Sequence, residues 1–364
     1  MMISTRSIKR VCLGELRQFI GEHRFPKGSV WPLTPQRVDS YCSNPNGSAH
    51  DVVLIYVEEE KEIVAFRTIW ADRVWVNGEP LKFGWCSGNW VSPAHRRKGL
   101  SSILLKEVYN DWEGRLMFTN YAPESLNGYL KSGLFPFKIE RIGKRFYFNT
   151  PFYQLLRQRS ANPLWRFFSL ILAVPLKVLI YFKMIFYRPR SFRGVSIVES
   201  DDCQADFFKP DISLTKPLLC RGKKEYEWIF TYPWITGQLE NKVNYPFSQH
   251  DGDFSYRFVT FEKNGNPIGR LIVSNRGGMV KMPYASAKNP EGYHLIAQYM
   301  ADYCYQNKIS SLTIIDQVWA RLISGVRSPF LFSKSFEMNI YSTFNILPAD
   351  DLVIYDGDGD YIFT

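Results

Sequence analysis

The spacing of apolar and polar residues in the first 150 positions predicts strands alternating with helices. Apolar runs at 52–57 and 63–67, separated by a charged turn at 58–62, are typical of a β-hairpin. Residues 100–112 place an apolar side chain at every fourth position, which is the period of one helix face. The short apolar run at 116–119 then predicts another strand.

The second half of the chain repeats this order. Residues 255–261 and 267–273, joined by an Asn-Gly turn at 263–266, predict a second hairpin. A helix pattern at 293–304 and a strand pattern at 311–316 follow it. The repetition indicates two domains of similar fold.

A chain of 364 residues is long enough for two domains. We expect domain boundaries at 1–150 and 201–364, with a helical, basic linker at 151–200. The predicted fold class is α/β, more closely α+β, with a central mixed sheet flanked by helices in each domain.

Net charge and cysteine usage narrow the function classes. The formal charge of +10 favours a polyanionic partner, yet no basic run interleaved with aromatic residues indicates a nucleic-acid groove. Six scattered cysteines form no Cys-x-x-Cys pair, and five histidines form no His-x-x-x-His spacing, so neither a metal site nor a disulfide framework is expected. Residues 1–10 are polar and basic with no apolar segment of signal-peptide length after them, and a cytoplasmic location is predicted.

An apolar segment at 165–187 admits three interpretations. Lys177, Lys183 and Pro175 interrupt it, which argues against a membrane span. It is either a helix buried between domains or a helix lying in a membrane interface. In the second case aromatic anchors such as Trp165 and flanking basic residues would contact anionic lipid, giving a peripheral membrane association.

The densest functional signal is residues 91–102, where an apolar run leads into the helix pattern. Arg96, Arg97 and Lys98 supply positive charge, and Gly99 leaves the backbone accessible. The first N–H groups of a helix carry the positive end of its dipole. The segment therefore predicts a cradle for a phosphorylated ligand; the alternative is a solvated basic helix end.

At these positions the sequence resembles the GNAT superfamily of acyl-CoA N-acyltransferases. Arg96-x-x-Gly99-x-Ser101 stands where that family has Arg/Gln-x-x-Gly-x-Gly/Ala, with Ser101 as a small departure. Tyr129 and Gly133 keep the spacing of the family's closing helix, although Leu134 interrupts the usual Gly-Phe pair. The alternation of residues 137–149 predicts a final hairpin, and the resemblance spans about residues 50–150.

The resemblance implies direct transfer of an acyl group, with acetyl-CoA as the expected co-substrate and no metal. The acceptor would be an amine of a small molecule, an amino sugar or a peptide. Tyr129 would protonate the leaving thiolate; the alternative is that it only packs on the closing helix. Glu124 is the nearest candidate for the base; the alternative is a solvated acid at the start of a helix. The residues implied to bind acyl-CoA are Asn89, Trp90, Val91, Arg96, Arg97, Lys98, Gly99, Leu100, Ser101 and Ser102.

The second half lacks the cradle pattern, because residues 285–292 contain no Arg-x-x-Gly-x-Gly/Ala and Glu291 would repel phosphate. It is predicted to be a degenerate GNAT-like domain, or else an unrelated α/β domain. Acceptor contacts are expected from residues 31–34 and from aromatic residues at 226–234, where core packing is the alternative. Two other functions stay open: a Fem-type aminoacyl or peptidyl transferase, which needs no cradle, and a non-catalytic acyl-CoA-binding or scaffolding protein. No oligomeric state is predicted.

Overall fold

The computed structural model describes most of the chain, and it divides into two compact units. Unit 1 comprises Met1–Arg141, Thr215–Phe254 and Met338–Thr364, and unit 2 comprises Ile142–Leu214 and Ser255–Glu337. The residues described are 8–23, 25–120, 123–148, 163–203, 207–208, 216–237, 243–328, 330–346 and 352–363.

The strands and helices follow one another along the chain in the alternation that the sequence predicts. The strands are β1 Ile8–Cys12, β2 Val52–Glu59, β3 Glu62–Val76, β4 Glu79–Val91, β5 Leu116–Thr119, β6 Phe137–Ile139, β7 Ile142–Tyr147, β8 Ser196–Ser200, β9 Lys216–Pro217, β10 Ser255–Lys263, β11 Asn266–Arg276, β12 Met279–Ala287, β13 Ser311–Ile314, β14 Phe332–Glu337, β15 Ile340–Ser342 and β16 Leu352–Val353. The helices are α1 Leu16–Glu22, α2 Pro35–Cys42, α3 Leu100–Asp111, α4 Pro123–Lys131, α5 Pro163–Phe186, α6 Lys223–Thr231, α7 Pro290–Gln306 and α8 Gln317–Gly325.

Each unit is built on a mixed, seven-stranded sheet, which confirms the predicted fold class. The strand order is β1-β2-β3-β4-β5-β15-β6 in unit 1 and β14-β7-β13-β12-β11-β10-β8 in unit 2. Read in opposite directions, the two orders match strand for strand. Both predicted hairpins, β2-β3 and β10-β11, are confirmed as antiparallel pairs.

Helices cover the sheets by burying the apolar stripes that predicted them. In unit 1 the α3 side chains Leu104 and Val108 are fully buried against the sheet. In unit 2 Ile296 and Met300 of α7 are buried in the same way. Removing such a side chain from water contributes roughly 1.5–3 kcal/mol of stability.

The predicted final hairpin at 137–149 is wrong. β6 pairs with β15 in unit 1, whereas β7 pairs with β13 and β14 in unit 2. In return β15, which follows β14 along the chain, pairs with β5 and β6 in unit 1. The two units thus exchange their closing strands, and the chain leaves unit 1 at Arg141 and returns at Thr215 and Met338. A β-strand hydrogen-bonds equally well to a sequence-distant partner, so local alternation could not distinguish these pairings.

The apolar segment at 165–187 forms most of α5. None of the helices in the part of the chain that the structure describes has the length and apolar character needed to cross a bilayer.

Candidate functional site

The first element of the site is a split between two parallel strands in unit 1. β4 pairs with β5 at Gly84–Leu116 and Trp85–Met117, and the ladder between the described strands ends there. β4 continues to Val91 and stays paired with β3. β5 pairs with β15 along its other edge. The end of β4, including Asn89 and Trp90, therefore has an open edge at the centre of the sheet. Extended backbone with an open edge can pair with amide groups of a bound chain.

The second element is the N-terminus of α3, which begins beside that open edge. Gly99 precedes the helix with φ +80° and ψ 1°, a left-handed conformation that suits glycine. No side chain caps the helix, and the space around an ideal Cβ at Gly99 is empty to 4 Å. The amides of Leu100 and Ser101 have no partner within the helix, because the first turn lacks preceding carbonyls. The Ser102 amide, in contrast, donates to the Gly99 carbonyl at 3.1 Å.

Basic side chains surround this helix end as the sequence predicts. Arg96, Arg97 and Lys98 are all exposed. The Arg96 Nε donates to the Val91 carbonyl at 3.3 Å, which holds the guanidinium near the end of β4. Arg97 has a positive φ of 64°, so the turn bends sharply just before Gly99. Together with the dipole of α3, these cations make a surface that favours a polyphosphate.

A hydrogen-bond network connects the helix end to Tyr129. The Ser101 hydroxyl donates to the Asn89 Oδ1 at 3.1 Å, which joins α3 to β4. Arg67, on β3, donates through Nη2 to the Ser101 hydroxyl at 3.3 Å and through Nη1 to the Tyr129 hydroxyl at 2.5 Å. The sequence analysis predicted Asn89, Ser101 and Tyr129 as site residues, and the structure brings these three together. Arg67 was missed, since a single arginine in an apolar strand carries no motif.

Arg67 is an unusual residue for the interior of a sheet. Only 2% of its surface is exposed, and none of the ion pairs in the described part of the chain includes it. Its Nε is buried without a hydrogen-bond partner among the described residues. A buried cation without a carboxylate costs several kcal/mol unless other groups compensate it. Arg67 therefore marks a place where negative charge is expected on a ligand or in a reaction.

Tyr129 is packed so that its hydroxyl is held in one place. Its ring stacks on Phe118 with centroids 3.9 Å apart and meets Phe135 edge-on at 5.3 Å. Burial raises the pKa of Tyr129 above its ordinary value, while the Arg67 guanidinium acts in the opposite direction. The phenol is therefore protonated at neutral pH. Because its oxygen accepts the hydrogen bond from Arg67, its own proton is available to a third group.

Cys86 of β4 is a second residue that sequence reasoning missed. Its thiol is buried, and burial raises its pKa, while the neighbouring Arg67 and Tyr129 side chains act in the opposite direction. The thiol therefore stays protonated next to the tyrosine. A lone cysteine in a strand gives no sequence signal.

Glu124, the predicted base, is located only by its backbone. Glu124 lies in the first turn of α4, the helix that carries Tyr129, and its side chain is outside the described part of the structure. Its role stays a prediction.

Three of the five aromatic residues expected at 226–234 to contact an acceptor are buried in unit 1, and Phe230 and Tyr232 are half-buried. Trp228 and Trp234 are buried, and their indole N–H groups donate to the Ser40 carbonyl at 2.6 Å and the Ser40 hydroxyl at 3.0 Å. In the 31–34 segment, Leu33 is fully buried and Thr34 caps α2 by accepting from the Arg37 amide. These contacts support the core-packing alternative.

The C-terminal segment of unit 1 packs against β4 and the end of β5. A Cβ added to Gly359 would approach the Thr119 hydroxyl to 2.8 Å and the Trp85 ring to 3.0 Å. The buried Arg221 donates to the Gly359 carbonyl at 3.4 Å and forms an ion pair with Asp72 at 2.8 Å. Sequence reasoning did not assign this segment to the first domain.

The corresponding helix end of unit 2 is closed. Asn289 caps α7 by accepting from the Gly292 amide at 2.9 Å. Glu291 in the first turn pairs with Lys263 at 2.7 Å. A Cβ on Gly292 would meet the Ile268 carbonyl oxygen at 2.4 Å, so the helix lies directly on β11. Residues 285–292 carry no cradle motif, and the helix that begins there has a capped, acidic end.

Comparison with known proteins agrees with this geometry. Residues 16–119 match the model of the acetyltransferase (GNAT) family, and this range contains both α3 and the β4-β5 split. A search of curated proteins gives no match.

The solved structures that match this chain are distant from it in sequence. A GCN5-related N-acetyltransferase from Anabaena variabilis is 9% identical, with a TM-score of 0.47, over 93% of this chain and 73% of its own. The Saccharomyces cerevisiae N-myristoyltransferase with bound myristoyl-CoA is 11% identical, with a TM-score of 0.48, over 94% and 79%. Eis1 from Mycobacterium abscessus is 10% identical, with a TM-score of 0.45, over 92% and 73%.

Proposed function

We propose that this chain, whose N-terminal part carries a GNAT acetyltransferase domain, transfers an acyl group from an acyl-CoA to an amine. One observation carries the proposal: the uncapped, basic N-terminus of α3 is hydrogen-bonded through Ser101 and Arg67 to a buried, protonated Tyr129. The helix end can bind the phosphates of coenzyme A, and the tyrosine can protonate the thiolate of coenzyme A as it leaves.

The acyl-CoA would be held along two surfaces. The amides of Leu100 and Ser101, with Arg97 and Lys98, would bind the pyrophosphate. The open edge of β4 at 89–91 would pair with the amide groups of the pantetheine arm, as a strand pairs with a neighbour. Acetyl-CoA is the donor that we propose; the acceptor is an amine of a small molecule, an amino sugar or a peptide.

The reaction would proceed by direct transfer. The amine nitrogen attacks the thioester carbonyl carbon, a C–N bond forms and the C–S bond breaks. The proton of the Tyr129 phenol passes to the leaving thiolate, and the amine loses a proton to a base, for which Glu124 is the candidate.

Arg67 would act through Tyr129 as a positioning residue. When the phenol has given up its proton, the phenolate remains beside the guanidinium, which stabilises that charge in a buried environment. This arrangement explains why a buried cation without a carboxylate is kept at this position.

Calorimetric titration with acetyl-CoA, followed by a thiol-release assay with a panel of amines, tests the proposal. We expect binding near one equivalent per chain and thiol release with at least one amine. Binding without thiol release for any amine would instead identify an acyl-CoA-binding protein without transferase activity. No binding at all would overturn the proposal and favour an aminoacyl or peptidyl transferase.

A further inference from the structure

Among the side chains that the structure describes, a large group of exposed apolar residues lies on α5 in unit 2, outside the site described above. Six apolar side chains on this helix are between 41% and 61% exposed and follow one another at steps of three or four residues. They are Phe167, Ile171, Val174, Val178, Phe182 and Ile185. Side chains at this spacing share one face of a helix, so they form a continuous apolar stripe.

The opposite side of α5 is attached to unit 2 near its C-terminal end. Ile180 is buried, and Lys183 Nζ donates to the Phe330 carbonyl at 2.8 Å. Tyr187, just after the helix, is buried and accepts from the Gln298 Nε2 at 3.0 Å. The helix is thus held by one side while the stripe faces outward.

The charged residues of the segment that carries the stripe are all of one sign. Residues 163–198 contain six Lys or Arg and no Asp or Glu. Lys177, Arg188, Arg190 and Arg193 are exposed, and none of the described ion pairs includes them. An exposed apolar stripe bordered by unpaired cations complements a surface with an apolar interior and anionic groups at its edge.

We propose that the stripe on α5 binds the surface of an anionic lipid bilayer, with the helix axis parallel to the membrane. The apolar side chains enter the boundary between headgroups and acyl chains, and the basic side chains contact lipid phosphates and carboxylates. A second copy of this chain fits less well, because two such surfaces would bring like charges together without acidic partners. The helix does not span the bilayer, since Lys177 and Lys183 lie within it.

Co-sedimentation of the full chain with vesicles tests this inference. We expect binding to vesicles of phosphatidylcholine mixed equally with phosphatidylserine, weaker binding to phosphatidylcholine alone, and partial release in high salt. If the chain bound to neither type of vesicle, the proposal would be overturned. A dimer that dissociates when the stripe is made polar, without vesicle binding, would assign the surface to a second copy and also overturn it.

Two pairs of variants separate the apolar and the ionic contributions. Phe167→Ser with Phe182→Ser should lower the partition coefficient roughly 10-fold or more, whereas the exposed apolar residue Val318 of α8, changed to Ser, should leave it unchanged. Lys177→Glu with Arg193→Glu should give a similar loss on the anionic vesicles, by roughly 10-fold, and little on phosphatidylcholine.

Matched charge reversals complete the test. Lys288→Glu with Lys334→Glu changes the net charge equally at exposed positions of unit 2 outside the α5 stripe. We expect vesicle binding close to that of the unmodified chain. An equal loss in this control would show that binding follows total charge, which contradicts a specific surface on α5. Far-ultraviolet circular dichroism of each variant checks that the fold is retained.

Discussion

The two sheets share one strand order, but the helices that follow their fourth strands begin in opposite ways. α3 of unit 1 starts at an uncapped Gly99 with exposed cations before it. α7 of unit 2 starts at Asn289, whose side chain satisfies the Gly292 amide, and Glu291 places a carboxylate in the first turn. A helix end with free amides and cations binds anions, and a capped, acidic one is a structural terminus.

The cores of the two units also differ in polarity at two equivalent positions. The register of the two hairpins places Leu271 of β11 where β3 has Arg67, because Val57–Ala65 and Phe261–Gly269 are equivalent pairs. The seventh residue of α8 is Ile323, where α4 has Tyr129. Both Leu271 and Ile323 are fully buried in the apolar core of unit 2. An apolar core suffices for this strand order in unit 2, so the fold does not require the polar pair of unit 1, and we assign that pair to the proposed reaction.

The largest effect is expected from removing the Tyr129 hydroxyl. Tyr129→Phe keeps the ring stacked on Phe118 and deletes the proton donor, so kcat should fall by ~10²–10⁴-fold with little change in acetyl-CoA affinity. Steady-state kinetics and calorimetry together measure the two quantities. The matched control is Tyr299→Phe in unit 2, which removes another buried hydroxyl, hydrogen-bonded to Glu199 at 2.9 Å, and should leave turnover intact. Turnover of the unmodified enzyme in Tyr129→Phe would remove the tyrosine from the mechanism.

A second test concerns the left-handed residue before α3. Gly99→Val introduces a branched side chain at φ +80°, which costs about 1–2 kcal/mol locally and displaces the amides of the first turn. We expect acetyl-CoA affinity to fall by roughly 100-fold. Gly265, with φ +74° and open space around it, is the matched position in the unit 2 hairpin. Gly265→Val should lose similar stability without losing affinity, and equal affinity in both variants would contradict the assignment of the cradle.

Arg67→Leu gives unit 1 the residue that unit 2 has at this position. Since a hydrogen bond to a charged group contributes about 1.5–3 kcal/mol, kcat should fall by roughly 10–100-fold. Thermal stability should stay equal or rise, because a buried cation is replaced by an apolar side chain. A dependence of kcat on pH that differs from the unmodified enzyme would distinguish loss of Tyr129 stabilisation from a packing defect. Unchanged kcat and an unchanged pH profile would leave Arg67 with a structural role alone.

The smallest effect is expected from removing the helix cap in unit 2. Asn289→Ala removes the cap of α7 and should reduce the free energy of unfolding by about 1 kcal/mol. Because Gly292 lies on the Ile268 carbonyl, the uncapped helix end still has no room for a phosphate. Calorimetry should therefore give the same stoichiometry of acetyl-CoA as before. A second equivalent of bound ligand would show that the cap alone closes this half.

Much of this architecture follows from local sequence. The four-residue apolar period of α3, the hairpin alternation of β2-β3 and β10-β11, and the turn at Gly99 each depend on neighbours in the chain, which is why their pattern predicts them. The candidate site was located for the same reason. Arg96, Gly99 and Ser101 lie within six consecutive residues, so their spacing is set before the chain folds.

Tertiary structure decided what sequence neighbours cannot encode. The exchange of β7 and β15 between the sheets depends on backbone hydrogen bonds that any strand can make, so no side-chain pattern announces it. Arg67 and Cys86 join Tyr129 because three separate elements converge on one point, and each residue alone is ordinary in its strand. The same holds for α5: its sequence allowed a buried, an interfacial or a spanning helix. Its exposed face was decided by which residues, Ile180 and Tyr187, pack against unit 2.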